Sequence, residues 1–232
     1  MRSDSVSMST APSPQHGSAP KSLVPETPIR VDGHRPACEQ TDGVPADIAD
    51  RLTLRPLLES DRAEFLEIVG RNRAAIGHWV PLHEAGEDDD AFFDRQLRRC
   101  AEGDASGRGC RRVAISGGGS IVGLFCLNSI SRGLAWEADA VWWIDKRVAG
   151  LGVATAGVRG LLAHAFGDMP SGLGLHGVHC GIEPENGASV RVAQKCGFAH
   201  KPERKSHLKV GERWVMHEFY LATPESFCTD LG

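Results

Sequence analysis

The chain has 232 residues, 41% of them hydrophobic and 24% charged, with a formal net charge of −4. That length suits one domain plus an extension, and that composition suits a globular chain with a proper core. The mild negative charge argues against a general nucleic-acid binder, which needs a basic surface to release counterions.

Residues 1–50 are rich in Pro, Ser, Gly and Asp, and their sparse apolar residues show no sustained period. Such a segment cannot bury enough surface to offset its ordering entropy, so a disordered N-terminal extension is expected there. The start carries no apolar stretch of the secretory kind. No run approaches the roughly 18 consecutive apolar residues of a membrane span. Seven cysteines are scattered without a C-x-x-C pair, which points away from a zinc site or a redox pair. They read as free thiols of a reducing, cytoplasmic compartment, with no metal expected.

The ordered part opens at Arg51, where Leu52 and Leu54 alternate with Thr53 and Arg55 as in a strand. Glu59, Ser60 and Asp61 supply N-cap chemistry for a helix carrying Phe65, Leu66 and Val69. A second short helix is expected from Asn72 to His78, ending before Pro81. Glu87 to Asp90 place negative charge at the start of a third helix that ends near Gly103. Gly117, Gly118 and Gly119 join two strands, Val113–Ser116 and Ser120–Asn128, as a hairpin. Another strand alternates through Ala138, Ala140, Trp142 and Ile144. Val153 to Phe166 reads as a helix with an apolar stripe of Val158, Leu161, Leu162 and Ala165. Val178, Cys180 and Ile182 mark a strand, Gly187 to Cys196 a short helix, and Phe198 with the Trp214–Leu221 run two closing strands.

Two segments carry chemistry. Arg147-Val148-Ala149-Gly150-Leu151-Gly152-Val153-Ala154 lies between a strand and a helix. Its glycines allow close approach of a ligand, and helix N-terminal amides bind phosphate. It is neither a Walker A loop nor the three-glycine dinucleotide fingerprint, since Thr155 stands at the third glycine. By itself it also fits a plain tight turn. The second segment is Glu185-Asn186-Gly187-Ala188-Ser189, followed by Cys196-Gly197-Phe198. Asn186 can cap the helix that Gly197 ends.

Together the segments resemble the GNAT acetyltransferases, most closely their RimJ/RimL-like branch. Arg147, Gly150 and Gly152 meet the family's Gln/Arg-x-x-Gly-x-Gly/Ala, and Asn186, Ser189, Gly197 and Phe198 meet its Asn-x-x-Ser…Gly-Phe. Trp142 to Asp145, Trp79-Val80-Pro81, and Arg55 with Asp61 also resemble that branch. The resemblance implies an α+β, three-layer α/β/α fold: a mixed, twisted sheet flanked by helices over 51–222, with a tail at 223–232. It implies acetyl-CoA as co-substrate and an amine acceptor, the N-terminus of a (ribosomal) protein or a small molecule, antibiotic or peptide toxin. A CoA-binding sensor without turnover is the rival from another class. No nucleic-acid or membrane partner is expected, and the chain would be a monomer or homodimer.

By the same resemblance the cofactor-binding residues are Trp143, Ile144, Arg147, Ala149, Gly150, Leu151, Gly152, Val153, Ala154, Asn186 and Ser189. Ser189 would protonate the leaving thiolate. Asp139, sharing a strand face with Val141 and Trp143, would take the proton from the amine. Glu137, His207 or water are the alternatives. Trp79, His83 and the acidic Glu84–Asp90 stretch would lie at the acceptor site, where the carboxylates either attract a cationic amine or form a solvated acidic helix start.

Overall fold

The computed structural model of the chain describes residues 28–32, 51–80, 82–84 and 86–229. Its strands are β1 (Ile29–Asp32), β2 (Arg51–Arg55), β3 (Cys110–Ile115), β4 (Ile121–Ser131), β5 (Glu137–Ile144), β6 (Gly177–Ile182), β7 (Ala199–Val210) and β8 (Arg213–Ala222). They form one eight-stranded sheet in the order β1-β2-β3-β4-β5-β6-β8-β7. The helices are α1 (Arg62–Trp79), α2 (Asp89–Ser106), α3 (Val153–Phe166), α4 (Gly187–Lys195) and α5 (Pro224–Thr229).

Alternation along each strand sends neighbouring side chains to opposite faces, so the sheet carries two cores. Phe65, Ile68, Val69, Phe92 and Phe93 of α1 and α2 pack on Val113, Leu124, Cys126 and Trp143. On the other face the stripe Val158, Leu161, Leu162 and Ala165 of α3 is fully buried against Phe125, Ala140 and Cys180. This is the expected three-layer mixed fold. Asp88 caps α2 by accepting the Ala91 N–H at 2.8 Å, and left-handed Gly107 (φ 65°) ends it. Asp61 does not cap α1. Its carboxylate accepts two hydrogen bonds from Arg55, at 2.7 and 2.8 Å, and one from the Leu58 N–H at 2.8 Å, bracing the turn ahead of the helix.

Four elements differ from the sequence reading. The expected pair of helices is one unbroken α1 running through Gly70. That glycine is exposed; it costs helix propensity only, about 1 kcal/mol, while buried Ile68, Val69, Asn72 and Ile76 hold both sides of it to the sheet. Within the extension, Ile29–Asp32 forms the edge strand β1, and Val31 packs into the core. The rest of residues 1–50, with Cys38, lies outside the described residues, as does Pro81. β7 runs through charged, exposed residues with no hydrophobic alternation, because β8 supplies its ladder. The tail opens with α5, whose Phe227 meets Phe166 at 5.9 Å between ring centroids.

Six cysteines among the described residues are free, five of them buried. Burial pushes the Cys110 thiol up to about 12, so it packs as an apolar group. No helix among the described residues is long and apolar enough to cross a membrane.

Among the described strands β5 and β6 are the parallel neighbours; every other pairing is antiparallel. Their register covers Glu137↔Gly177, Ala138↔Val178 and Asp139↔His179, then stops while both strands continue. A gap therefore opens inside the sheet at its centre.

Helix α3 lies close over that region because Gly157 has no side chain. A Cβ there would stand 2.2 Å from Cζ of buried Phe125. Gly157→Ala should therefore destabilise the chain by about 1–3 kcal/mol through overpacking, against the roughly 1 kcal/mol that alanine gains in an exposed helix. Denaturant unfolding reads the sign; a stabilised variant would contradict this packing.

Candidate functional site

The gap between β5 and β6 opens into a cavity of about 580 Å³. One wall is β5 from Ala140 to Ile144, and the other is β6 from Cys180 to Ile182. Asn72, Ile76 and Trp79 of α1 close one side, and Leu208 to Val210 of the β7–β8 hairpin close another. The β5 backbone beyond Asp139 has lost its β6 partner, so its polar groups on that edge are open to an extended ligand.

At the end of β5 the chain turns through Lys146–Val148 into α3. Gly150 and Gly152 both sit at φ 82°, the left-handed region that favours glycine. A Cβ on Gly150 would meet nothing within 4 Å, so that position faces open space. Ala156 N–H makes the first helical bond, to Gly152 O. The N–H groups of Val153, Ala154 and Thr155 ahead of it have no helical acceptor, and all three residues line the cavity. With Lys146, Arg191 and Lys195 also in the lining, these amides make an anion cradle of the size and charge that a pyrophosphate needs.

Asp145 holds this turn in place. It is 1% exposed and accepts hydrogen bonds from Arg71 Nε (3.1 Å), Asn72 Nδ2 (3.1 Å), Arg147 N (3.2 Å) and Arg147 Nε (2.9 Å). Asn72 Oδ1 in turn accepts the Lys146 N–H at 2.9 Å. Burial alone would raise the Asp145 carboxyl; the hydrogen bonds from Asn72 and Arg147 outweigh it and hold the group below its ordinary range.

Asn186 caps α4 as expected, its Oδ1 accepting the Ser189 N–H at 3.1 Å, and both residues line the cavity. Across the sheet, the Asp139↔His179 pairing and strand alternation put Gly181 and Glu183 on the face shared by Asp139, Val141 and Trp143. Glu183 is 6% exposed, lines the cavity, and has one carboxylate oxygen buried without a hydrogen-bond partner. His217 follows opposite it, one step past the Ile182↔Glu218 pair, and also lines the cavity. Its Nδ1 lies 2.9 Å from Val215 O, which leaves Nε2 as the accepting nitrogen.

The Acetyltransferase (GNAT) domain family matches residues 51–199. The chain belongs to the GNAT acetyltransferase family. Two Bacillus subtilis proteins are similar to it. One is the N-acetyltransferase candidate YjcK, 31% identical over 98 residues, 42% of this chain and 52% of YjcK. The other is the ribosomal N-acetyltransferase candidate YdaF, 23% identical over 163 residues, 70% of this chain and 86% of YdaF. The YjcK match thus spans about half of that protein. Among solved structures, Mycobacterium smegmatis RimJ in complex with CoA-disulfide superposes with a TM-score of 0.68 at 23% identity, over 76% of this chain and 84% of that one.

The structure gathers most of the sequence-expected GNAT residues at the cavity: Trp143, Ile144, Ala149, Gly150, Gly152, Val153, Ala154, Asn186 and Ser189. Arg147 and Leu151 are not in the lining; the Arg147 side chain folds back on Asp145. Asp139 sits where β5 and β6 are still paired, outside the lining. Glu137 lies at the same closed end, 3.2 Å from His179 Nε2. His207 is exposed on β7, opposite Met216. Sequence reading missed Glu183 and His217, whose shared face follows from strand register alone.

The acidic stretch also differs from expectation. Glu87 binds Arg95 at 2.6 and 2.5 Å, which lowers its carboxyl to about 2. Asp89 pairs with Arg73 and His83, Asp90 with Arg62, and Glu84 with Arg99. Of that region Trp79 and Val80 line the main cavity; His83 stacks on Phe92 with centroids 4.4 Å apart. Four of the run's five carboxylates thus pair with cations of the protein itself, and Asp88 caps α2.

Asp145→Asn should cost about 2–4 kcal/mol of stability at neutral pH, because it strips Arg71 and Arg147 of their buried partner. The native carboxyl is depressed, so its contribution is present above the unfolded value and is lost as pH falls through the folded one. Melting temperatures of the two proteins should therefore converge on acidification below about pH 4. A gap that stays constant to pH 2 would mean the carboxylate charge is not what stabilises the turn.

Proposed function

We propose that this chain transfers the acetyl group of acetyl-CoA to a primary amine, the N-terminal α-amine of a protein being the acceptor, a ribosomal one by analogy with YdaF. The observation that carries this reading is the cavity itself: a sheet split at its centre, with an anion cradle at one end and a buried carboxylate, one of whose oxygens has no hydrogen-bond partner, in its lining.

Acetyl-CoA supplies the activated acetyl thioester. The amides at the start of α3, with Lys146, Arg191 and Lys195, hold its phosphates. The free edge of β5 beyond Asp139 hydrogen-bonds its extended arm and offers N–H groups to polarise the thioester carbonyl. Ser189 lines the cavity one turn into α4 and donates the proton that the leaving thiolate needs. For the proton of the attacking ammonium, Glu183 is better placed than Asp139. It lines the cavity with a free oxygen, and His217 beside it gives an onward acceptor.

Calorimetric titration should show acetyl-CoA binding to the native chain and none to Gly150→Trp, which fills the open side of the turn. Glu183→Gln should lower kcat with an N-terminal peptide by about 10²–10⁴, the usual worth of a general base, at unchanged acetyl-CoA affinity. Ser189→Ala should also lower kcat. Asp139→Asn should keep most of the turnover; if it and not Glu183→Gln abolishes acetylation, the base is Asp139. Absence of acetyl-CoA binding to the native chain would remove the transferase reading altogether.

A further inference from the structure

A second, smaller cavity of about 190 Å³ adjoins the first, and Val80, Val141 and Trp143 line both. Its floor is one face of the sheet. The pairs Arg111↔Cys126, Cys126↔Val141 and Leu124↔Trp143 set these side chains side by side across β3, β4 and β5. That is also the face of Glu183. Helix α2 forms the roof, and the polar groups it brings are Arg95, Gln96 and Arg99.

Three guanidinium groups therefore line a small space, and the carboxylates near them pair with Arg95 and Arg99 but not with Arg111. Arg95 is taken by Glu87, and its Nη2 also donates to Leu82 O at 2.8 Å. Arg99 has one long contact, 3.3 Å to Glu84, whose side chain is 63% exposed. Arg111 has no carboxylate partner among the described residues. Its Nη1 donates to Gln96 Oε1 and its Nη2 to Asn128 Oδ1, both at 3.1 Å, and both acceptors are neutral. Asp139 stands opposite Asn128 in the register but makes no ion pair. The crowding registers on Arg99: partial burial and then the Arg95 and Arg111 charges push its guanidinium below its ordinary value. A half-buried cation held only by neutral acceptors, with donor capacity left, lacks a counter-charge.

We propose that this annex is the side-chain subsite of the amine acceptor, and that it takes an oxyanion of the acceptor, a carboxylate or a phosphate, onto Arg111 and Arg99. The inference rests on the acetyl-transfer reading above and adds the acceptor's charge to it. With the amine in the main cavity near Glu183, the annex next to Val141 and Trp143 receives the neighbouring group. Its volume suits a side chain, so an acidic residue close to the acetylated amine is the expected pattern. Guanidinium is suited to this role because its planar fork matches both oxyanions.

The test is calorimetric titration of the CoA-saturated protein with C-terminally amidated dipeptides: Ala-Asp, Ala-phosphoserine, Ala-Asn and Ala-Lys. At least one acidic dipeptide should bind about tenfold or more tightly than Ala-Asn, the worth of one charge-assisted hydrogen bond. Ala-Lys should bind weakest. Which acidic peptide leads distinguishes carboxylate from phosphate. Arg111→Met should erase the preference while acetyl-CoA affinity stays native. Should Arg111→Met fail to fold, Arg99→Gln, at an exposed side chain, should reduce the same preference. Equal binding of Ala-Asn or Ala-Lys, no binding of either acidic peptide, or a preference that survives Arg111→Met would overturn the proposal. Failure of the transferase reading shows separately, as a native protein that does not bind acetyl-CoA.

Discussion

The buried Asp145 carboxylate joins parts of the chain that the sequence keeps 73 and 74 positions apart. It ends β5, begins the phosphate turn and receives α1 through Arg71 and Asn72. A buried carboxylate without partners would be strongly unfavourable. Asn72 closes the arrangement by bonding Asp145 with its amide nitrogen and the Lys146 N–H with its oxygen. The turn is thus fixed from both sides before any ligand arrives, and a cradle whose amides are already aimed pays no reorganisation on binding.

The split of β5 from β6 gives the rest of the site its geometry. Three paired residues keep the sheet continuous. Beyond them, the strand edges are free and the two faces of the sheet communicate. One face carries α3 and α4, which bring helix N-termini, Lys195 and Ser189. The other carries α1 and α2, with Glu183, Val141 and Trp143 on its floor. On the acetyl-transfer reading proposed above, two substrates would meet in this gap from opposite sides, an arrangement suited to direct attack in a ternary complex. The β7–β8 hairpin completes the wall; Arg213 at its tip reaches His78 O at 3.5 Å.

Much of this was legible in the sequence because the signals are local. The α3 stripe, the β5 alternation, the Asn186 cap and the left-handed glycines each depend on residues a few positions apart. What failed to show depends on distant pairing. β1 has only four residues, β7 has no apolar alternation, and α1 carries a glycine that suggests a break. The site followed the same division. Turn residues were readable as a motif, although Arg147 and Leu151 prove to face away from the cavity. Glu183 was not readable as a site residue, because its face is set by the register of β6 against β5 and β8.

Charge shows the same limit most sharply. The run from Glu84 to Asp90 reads as an acidic surface, yet Arg62, Arg73, Arg95 and Arg99 of α1 and α2 pair with four of its five carboxylates. Those pairings are mostly at the surface and add little stability individually. A lone arginine on a strand carries no meaning in a sequence. Placed between neutral Gln96 and Asn128, on the same sheet face as Val141 and Trp143, it is a cation with which no carboxylate among the described residues pairs.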